Sequence, residues 1–414
     1  MASLLTIAYR NIGRNMRRTI LCVVAVAIAV FFNIFLQSMT EGMTKGIEDV
    51  VKVFDTGHIN VVSSQYEEEK EYYPVQYPVA QGRSTSEMIE SIEAIPHIRA
   101  VLPRINAYAT LQDSTVKHAL LWGLNFEKEQ TVLDFNLSDH SNGLRAGHFP
   151  TPNTNECVIG TALAKKAGLR IGDRIPLKTV SAQFSDKMWS PEIVGLFEFD
   201  YRRFDENAIL VDFSRLQRLL VLGEGTQQLY IYVNDEKTTS ATAEQIRTIV
   251  GDGNTVHEWR DNYMVAMMQQ TTSIYIVIFL VFQIVASFLI VNTVVMIIHE
   301  RVKEIGMMGT LGMTRREIVI VFFFEAVLLS VLGSLVGVII GGITTGIGSI
   351  FPVDLQTFTG GGLKEYPITG SLFLKFSPVI LLQGFLFGVI VAALCTLIPS
   401  LKSAFIEPVE ALRQ

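Results

Sequence analysis

The sequence predicts an α-helical membrane protein with four transmembrane helices and one large α+β domain outside the membrane. Three observations predict it. The first is apolar length. Of the 414 residues, 49% are hydrophobic, and four runs hold almost no charge over the roughly 20 residues that a bilayer-crossing helix needs. They cover residues 19–39, 271–298, 318–351 (interrupted only by Glu325) and 378–401. The second is charge asymmetry. Residues 40–271 carry 22 Lys and Arg against 32 Asp and Glu, whereas the rest of the chain carries 12 against 8. The third is patterning: the acidic block alternates strand-like and helix-like stretches.

The basic excess flanks the apolar runs. Arg10, Arg14, Arg17 and Arg18 precede the first; Arg301, Lys303, Arg315 and Arg316 separate the second from the third; Lys402 and Arg413 follow the fourth. Cytoplasmic segments collect Lys and Arg, so both termini are expected in the cytoplasm and the acidic block outside. Residues 1–18 set Leu4, Leu5, Ile7, Ile12 and Met16 against Arg10, Arg14 and Arg17, a basic amphipathic pattern suited to the membrane surface. The first run is longer than a signal-peptide core, and Gln37-Ser38-Met39 is a poor cleavage site, so it reads as an uncleaved anchor. Residues 41–54 continue the helix out of the membrane. The expected domains are 1–42, 43–265 and 266–414.

Within the outer block, 58–62 reads as a strand, 84–95 as a helix with a Ser84/Glu87 capping box, and 99–111 as a strand. The same order recurs at 228–233, 241–250 and 255–259. Two such units far apart predict one α+β subdomain split by an insertion. The insertion, about 113–225, reads as β-rich, with short strands at 157–159, 174–179, 192–197 and 208–211. Only Cys157 lies outside the apolar runs, so the domain holds no internal disulfide and depends on its core. In the third run Gly333, Gly337 and Gly341 recur every four residues. That stripe lets another helix approach closely, from a partner or from the same chain. Glu325 is an intramembrane acid that either serves function or reaches the nearby interface.

The chain carries no phosphate loop, no zinc-type ligand spacing and no nucleophile elbow. Asp139, His140 and His148 read as surface-loop residues. The acidic outer block gives no nucleic-acid signal. The chain is therefore expected to be non-catalytic and to hold no cofactor. Between the second and third runs, 300–317 forms a polar-rimmed cytoplasmic segment with Val302, Ile305, Met308 and Leu311 at helical spacing. On spacing alone, the favoured reading of that segment is a plain basic turn that joins two spans.

Three stretches resemble one family. Arg301-Val302-Lys303-Glu304-Ile305-Gly306-Met307-Met308 with Leu311-Gly312-Met313, the closing Glu407-Pro408-Val409-Glu410-Ala411-Leu412-Arg413, and the opening Ala8-Tyr9-Arg10-Asn11-Ile12 are similar to signatures of FtsX-like permeases. Arg145-Ala146-Gly147-His148-Phe149, Glu156-Cys157-Val158-Ile159-Gly160 and Gly172-Asp173 resemble the MacB-type periplasmic core. Asp55-Thr56-Gly57-His58-Ile59-Asn60-Val61 is similar to the opening of the lipoprotein-releasing, LolC/LolE-type branch.

The resemblance implies an ABC transporter permease of the inner membrane working by mechanotransmission. It implies a second permease and a pair of separate ATPase subunits, which would bind the ATP and Mg. It implies lipoprotein cargo and a periplasmic carrier. The alternatives are a MacB-type exporter with an adaptor and a signalling complex that moves no cargo. Glu300, Arg301, Lys303, Glu304, Ile305, Gly306, Met307 and Leu311 are then expected to engage the ATPase. Phe31, Phe32, Phe35, Met39, Met264, Met267, Met268 and Ile274 are candidates for an acyl-chain cavity, since adaptable Met and Phe suit acyl chains; ordinary packing is the alternative. Phe184, Met188, Trp189 and Pro191 lie where LolC-type permeases place a carrier-docking hairpin. They either project as a hook or fold into the core.

Overall fold

The computed structural model describes residues 16–79, 84–112, 114–132, 143–199, 201–300, 313–351, 353–354 and 371–403. Contacts divide the chain into two units. One takes residues 1–43, 269–353 and 372–414; the other takes 44–268 and 354–371.

The first unit is built of long helices. Among the described residues, three helices are long and apolar enough to cross a membrane: Thr19–Asp55, Val319–Ile350 and Pro378–Leu397. The apolar run 271–298 lies in a further helix, Tyr263–Glu300, of 38 residues. The third run forms one unbroken helix, Arg315–Ile350. Its start is fixed by a capping box in which Thr314 Oγ1 accepts from the Glu317 N–H while Glu317 accepts from the Thr314 N–H.

The glycine stripe packs inside the chain. A Cβ on Gly333 would lie 2.6 Å from Val26 Cβ, one on Gly337 2.7 Å from the Ala27 carbonyl oxygen, and one on Gly341 3.1 Å from Ile34. From the last helix, Gly384 and Gly388 meet Ile34 and Val30 in the same way, at 2.6 and 2.5 Å. Small residues therefore bring two helices against the Val26–Val30–Ile34 face of the first. Ser38 Oγ donates to the Lys375 carbonyl at 2.8 Å, and Lys375 Nζ pairs with Glu41 at 2.9 Å. Glu325 is buried within this unit.

Among the described residues, the second unit carries an eleven-stranded sheet. Its strands are β1 (Ile59–Ser63), β2 (Ile98–Leu111), β3 (His118–Leu124), β4 (Gly143–Gly147), β5 (Glu156–Gly160), β6 (Leu177–Val180), β7 (Asp186–Trp189), β8 (Glu192–Glu198), β9 (Ala208–Asp212), β10 (Gln228–Val233) and β11 (Asn254–Glu258). The order is β11-β1-β10-β2-β3-β9-β5-β8-β4, with β6 pairing β2 and β7. The first four strands are antiparallel and join both strand–helix–strand units in one subdomain, as the sequence predicts. Helices Thr85–Glu93 and Thr239–Val250 bury Met88, Ile92, Ala243 and Ile246 against Ile59, Val61, Leu229 and Ile231. The insertion has its own core around Leu121, Ile159, Leu163, Ile193 and Ile209.

Several details differ from the sequence expectations. Ser84 occupies the N-cap position but its side chain makes no capping bond. The strand expected at 174–179 begins only at Leu177. Pro176 has no N–H to donate to a ladder, and Arg174 contributes just an isolated bridge to Glu192. Cys157 is a buried free thiol, and burial pushes its pKa up.

Candidate functional site

Three expected sites can be traced. The ATPase-facing segment falls mostly outside the described residues: Arg301, Lys303, Glu304, Ile305, Gly306, Met307 and Leu311 lie there, and Glu300 ends the helix Tyr263–Glu300. Asp139 and His140 also lie outside them.

The cavity candidates fall into separate surroundings. Phe31 stacks on Phe35 at 6.0 Å and meets Phe32 edge-on at 5.4 Å, with Phe32 exposed. Met39 is half-buried and Ile274 exposed. Met264 and Met268 pack against Ile47, Val51, Trp259 and Val265 in the second unit. Met267 is half-buried in that unit.

The partner-binding candidates lie on a hairpin. β6 and β7 pair with Leu177 opposite Trp189, Lys178 opposite Met188 and Val180 opposite Asp186. The turn closes through the Ser181 N–H to the Ser185 carbonyl at 3.0 Å, and Phe184 adopts φ 56°. Strand alternation sets Met188 and Trp189 on opposite faces of β7, with Phe184 in the turn before it and Pro191 just after it. Phe184 is 75% and Met188 72% exposed, whereas Trp189 is 7% exposed. Trp189 belongs to the insertion core, and its indole N–H donates to Asn155 Oδ1. Pro191 is buried, and its carbonyl accepts from the Ile175 N–H at 3.0 Å. Trp189 and Pro191 therefore fold back into the core, and Phe184 and Met188 project. Lys178 and Asp186 pair at 2.8 Å across the hairpin, leaving the two apolar side chains beside a balanced pair of charges.

A fourth arrangement was not visible in the sequence. The first long helix, Met16–Val50, ends in a π-helical turn, Val51–Asp55. Such turns cluster at functional sites. Arg104 is buried on β2 and makes a two-pronged pair with Glu129, Nε to Oε1 and Nη2 to Oε2, each 2.7 Å. Its third nitrogen, Nη1, donates to the Val53 carbonyl at 2.6 Å, and the guanidinium lies 4.2 Å from the Tyr230 ring centre. Burial is the largest single influence and disfavours the charged guanidinium, but the charge and hydrogen bonds of Glu129 together with Tyr232 and Tyr230 outweigh it and hold the pKa above its usual value. The only early sign was a lone Arg inside the apolar run Val101-Leu102-Pro103-Arg104-Ile105.

Just past this turn, Gly57 takes φ +66° and packs against the Ile231 backbone, where a Cβ would lie 3.1 Å from the nitrogen. Only glycine suits that combination. His58 follows. Its Nδ1 accepts from the Val233 N–H at 3.0 Å, and its Nε2 lies 3.8 Å from Glu236. Burial lowers its pKa, against the opposing pull of Glu236.

A family model described as MacB-like periplasmic core domain matches residues 19–249. One described as FtsX-like permease C-terminal matches residues 276–408. The chain is similar to the lipoprotein-releasing system transmembrane protein LolC of Xylella fastidiosa (strain 9a5c), 25% identical over 77% of this chain and 78% of that protein. It is also similar to LolC of Haemophilus influenzae, 22% identical over 78% of this chain and 80% of that protein. The chain belongs to the family of ABC transporter permeases that join a MacB-like periplasmic core domain to an FtsX-like permease region.

Proposed function

We propose that this chain is a permease subunit that releases lipoproteins from the outer leaflet of the inner membrane and passes them to a soluble carrier. Four spans, with 271–298 as the second, leave both termini cytoplasmic and the sheet domain in the periplasm. A second permease and two ATPase subunits complete the transporter. The observation that carries the reading is the β6–β7 hairpin with Phe184 and Met188 exposed at its outer face. It is supported by similarity to the LolC proteins over most of the chain. Exposed aromatic and Met side chains on a rigid hairpin suit a small interface, where a few anchors supply most of the binding energy.

The double variant Phe184→Ala with Met188→Ala is expected to lose capture of the carrier by the detergent-solubilised permease. Its thermal unfolding should stay at the parent temperature, because neither side chain is buried. Surface plasmon resonance and a melting curve read the two. Carrier binding at the parent affinity would contradict the proposal.

The segment 300–311 is proposed to dock in the ATPase, with Arg301 and Glu304 making charged contacts. Gly306→Trp is expected to leave insertion and basal ATP hydrolysis intact while abolishing ATP-driven cargo release. Release at the parent rate in proteoliposomes would remove this segment from the coupling path.

A further inference from the structure

We infer that Arg104, with Glu129, Tyr230 and Tyr232, makes the π-helical turn Val51–Asp55 a rigid joint that fixes the emerging helix to both parts of the exterior sheet. The inference rests on the transporter reading above for its use, and on the geometry of the exterior unit for its existence. These are positioning residues; none is placed against cargo.

The last carbonyls of a helix have no partner within it, so a helix end is a natural place to bend. Here three successive carbonyls are each held by a buried side chain. Tyr232 donates to the Lys52 carbonyl at 2.8 Å, Arg104 to that of Val53 at 2.6 Å, and Tyr230 to that of Phe54 at 3.1 Å. The Val51 carbonyl accepts from the Thr56 N–H at 2.9 Å. Side chains are clamped as well. Lys52 pairs with Glu236 at 2.8 Å and lies over the Trp259 ring. The Phe54 ring meets Phe204 at 4.4 Å and Phe199 at 5.4 Å.

The donors lie on β10 and β2 of the split subdomain, and Arg104 sits where β2 passes from that subdomain into the insertion. Along β2, Arg104 is opposite Gln228 of β10, and the next residue, Ile105, is opposite Gly123 of β3. Glu129, which orients Arg104, lies in the helix Phe126–Val132 that follows β3. One guanidinium therefore ties the helix end, the split subdomain and the insertion together. A buried ion pair is weak evidence for stability, since apolar residues of similar volume often replace one without loss. What apolar residues cannot do is donate to a carbonyl and fix its direction. That difference makes geometry, rather than stability, the function of this pair.

The test uses the full chain assembled with its ATPase in nanodiscs. Spin labels go on Lys45→Cys, before the joint, and Asp252→Cys, in the sheet subdomain, with Cys395→Ser. The parent should give a narrow distance distribution that is the same without nucleotide and with trapped ATP–vanadate. Two variants loosen the joint: Tyr230→Phe with Tyr232→Phe, which removes two hydroxyl donors and keeps the rings, and Arg104→Met with Glu129→Leu, which keeps volume. Both should still fold, unfolding somewhat below the parent because buried carbonyls lose their donors, and should show a distribution at least twice as wide. ATP-driven cargo release should fall at least tenfold while ATP hydrolysis continues. A parent-like width in both folded variants overturns the joint. A parent that releases no cargo overturns the transport reading instead, and the widths still judge the joint by the same criterion.

Discussion

Replacing Arg104 by alanine is expected to cost the exterior domain about 3–5 kcal/mol, the usual penalty for removing one partner of a buried ion pair. Glu129 would be left without its partner in a site where it is 1% exposed, both oxygens having lost the guanidinium that now engages them. The Val53 carbonyl would lose its donor as well. Arg104→Met with Glu129→Leu should recover most of that loss, because the pair is removed together and the volume is kept. The chain has three tryptophans, and Trp122, Trp189 and Trp259 all lie in the exterior unit. Tryptophan fluorescence on heating therefore reports this unit. A small shift for the alanine variant, or an equal loss for both variants, would contradict the account.

Gly337→Leu is expected to have the second largest effect. The first atom of any side chain there would already lie 2.7 Å from the Ala27 carbonyl oxygen and 2.8 Å from Val30 Cβ. Leucine would drive the helix Arg315–Ile350 away from the first helix. Overpacking of this kind costs about 3 kcal/mol. The lost close approach also forfeits the packing that holds membrane helices together. Gly346→Ala is the control, since its Cβ would find its nearest neighbour at 3.8 Å. Unfolding in rising SDS, followed by circular dichroism, should show Gly337→Leu melting early and Gly346→Ala melting with the parent. Equal curves would remove the glycine face from the packing of this unit.

Patterns that depend on local chemistry were legible in the chain. Short runs of apolar and aromatic residues marked strands at 228–233 and 208–211, and the glycine spacing marked a close helix approach. The partner of that approach was not legible, because spacing says that something fits and not which helix supplies Val26, Val30 and Ile34. The hairpin was half legible. Phe184 and Trp189 look equivalent in the sequence, but β7 is a strand, and its alternation sends Met188 outward and Trp189 inward. The joint was the least legible part. Arg104 and Glu129 are 25 positions apart, and the Val53 carbonyl lies 51 positions before Arg104. No local pattern encodes such a meeting; it arises only when β2 passes between β10 and β3. Gly57 belongs to the motif at residues 55–61, and the structure supplies its reason in the positive φ and the Ile231 backbone beside it.

The measurement that bears most directly on lipoprotein release is transfer of a fluorescent triacylated lipoprotein out of proteoliposomes holding this permease and its ATPase. The soluble carrier is supplied outside the vesicles, and the cargo is followed by its appearance in the vesicle-free fraction. The account predicts transfer that requires ATP, requires the carrier, and disappears when Phe184 and Met188 are both alanine. ATP hydrolysis by a fully assembled transporter with the lipoprotein still in the vesicles would contradict it.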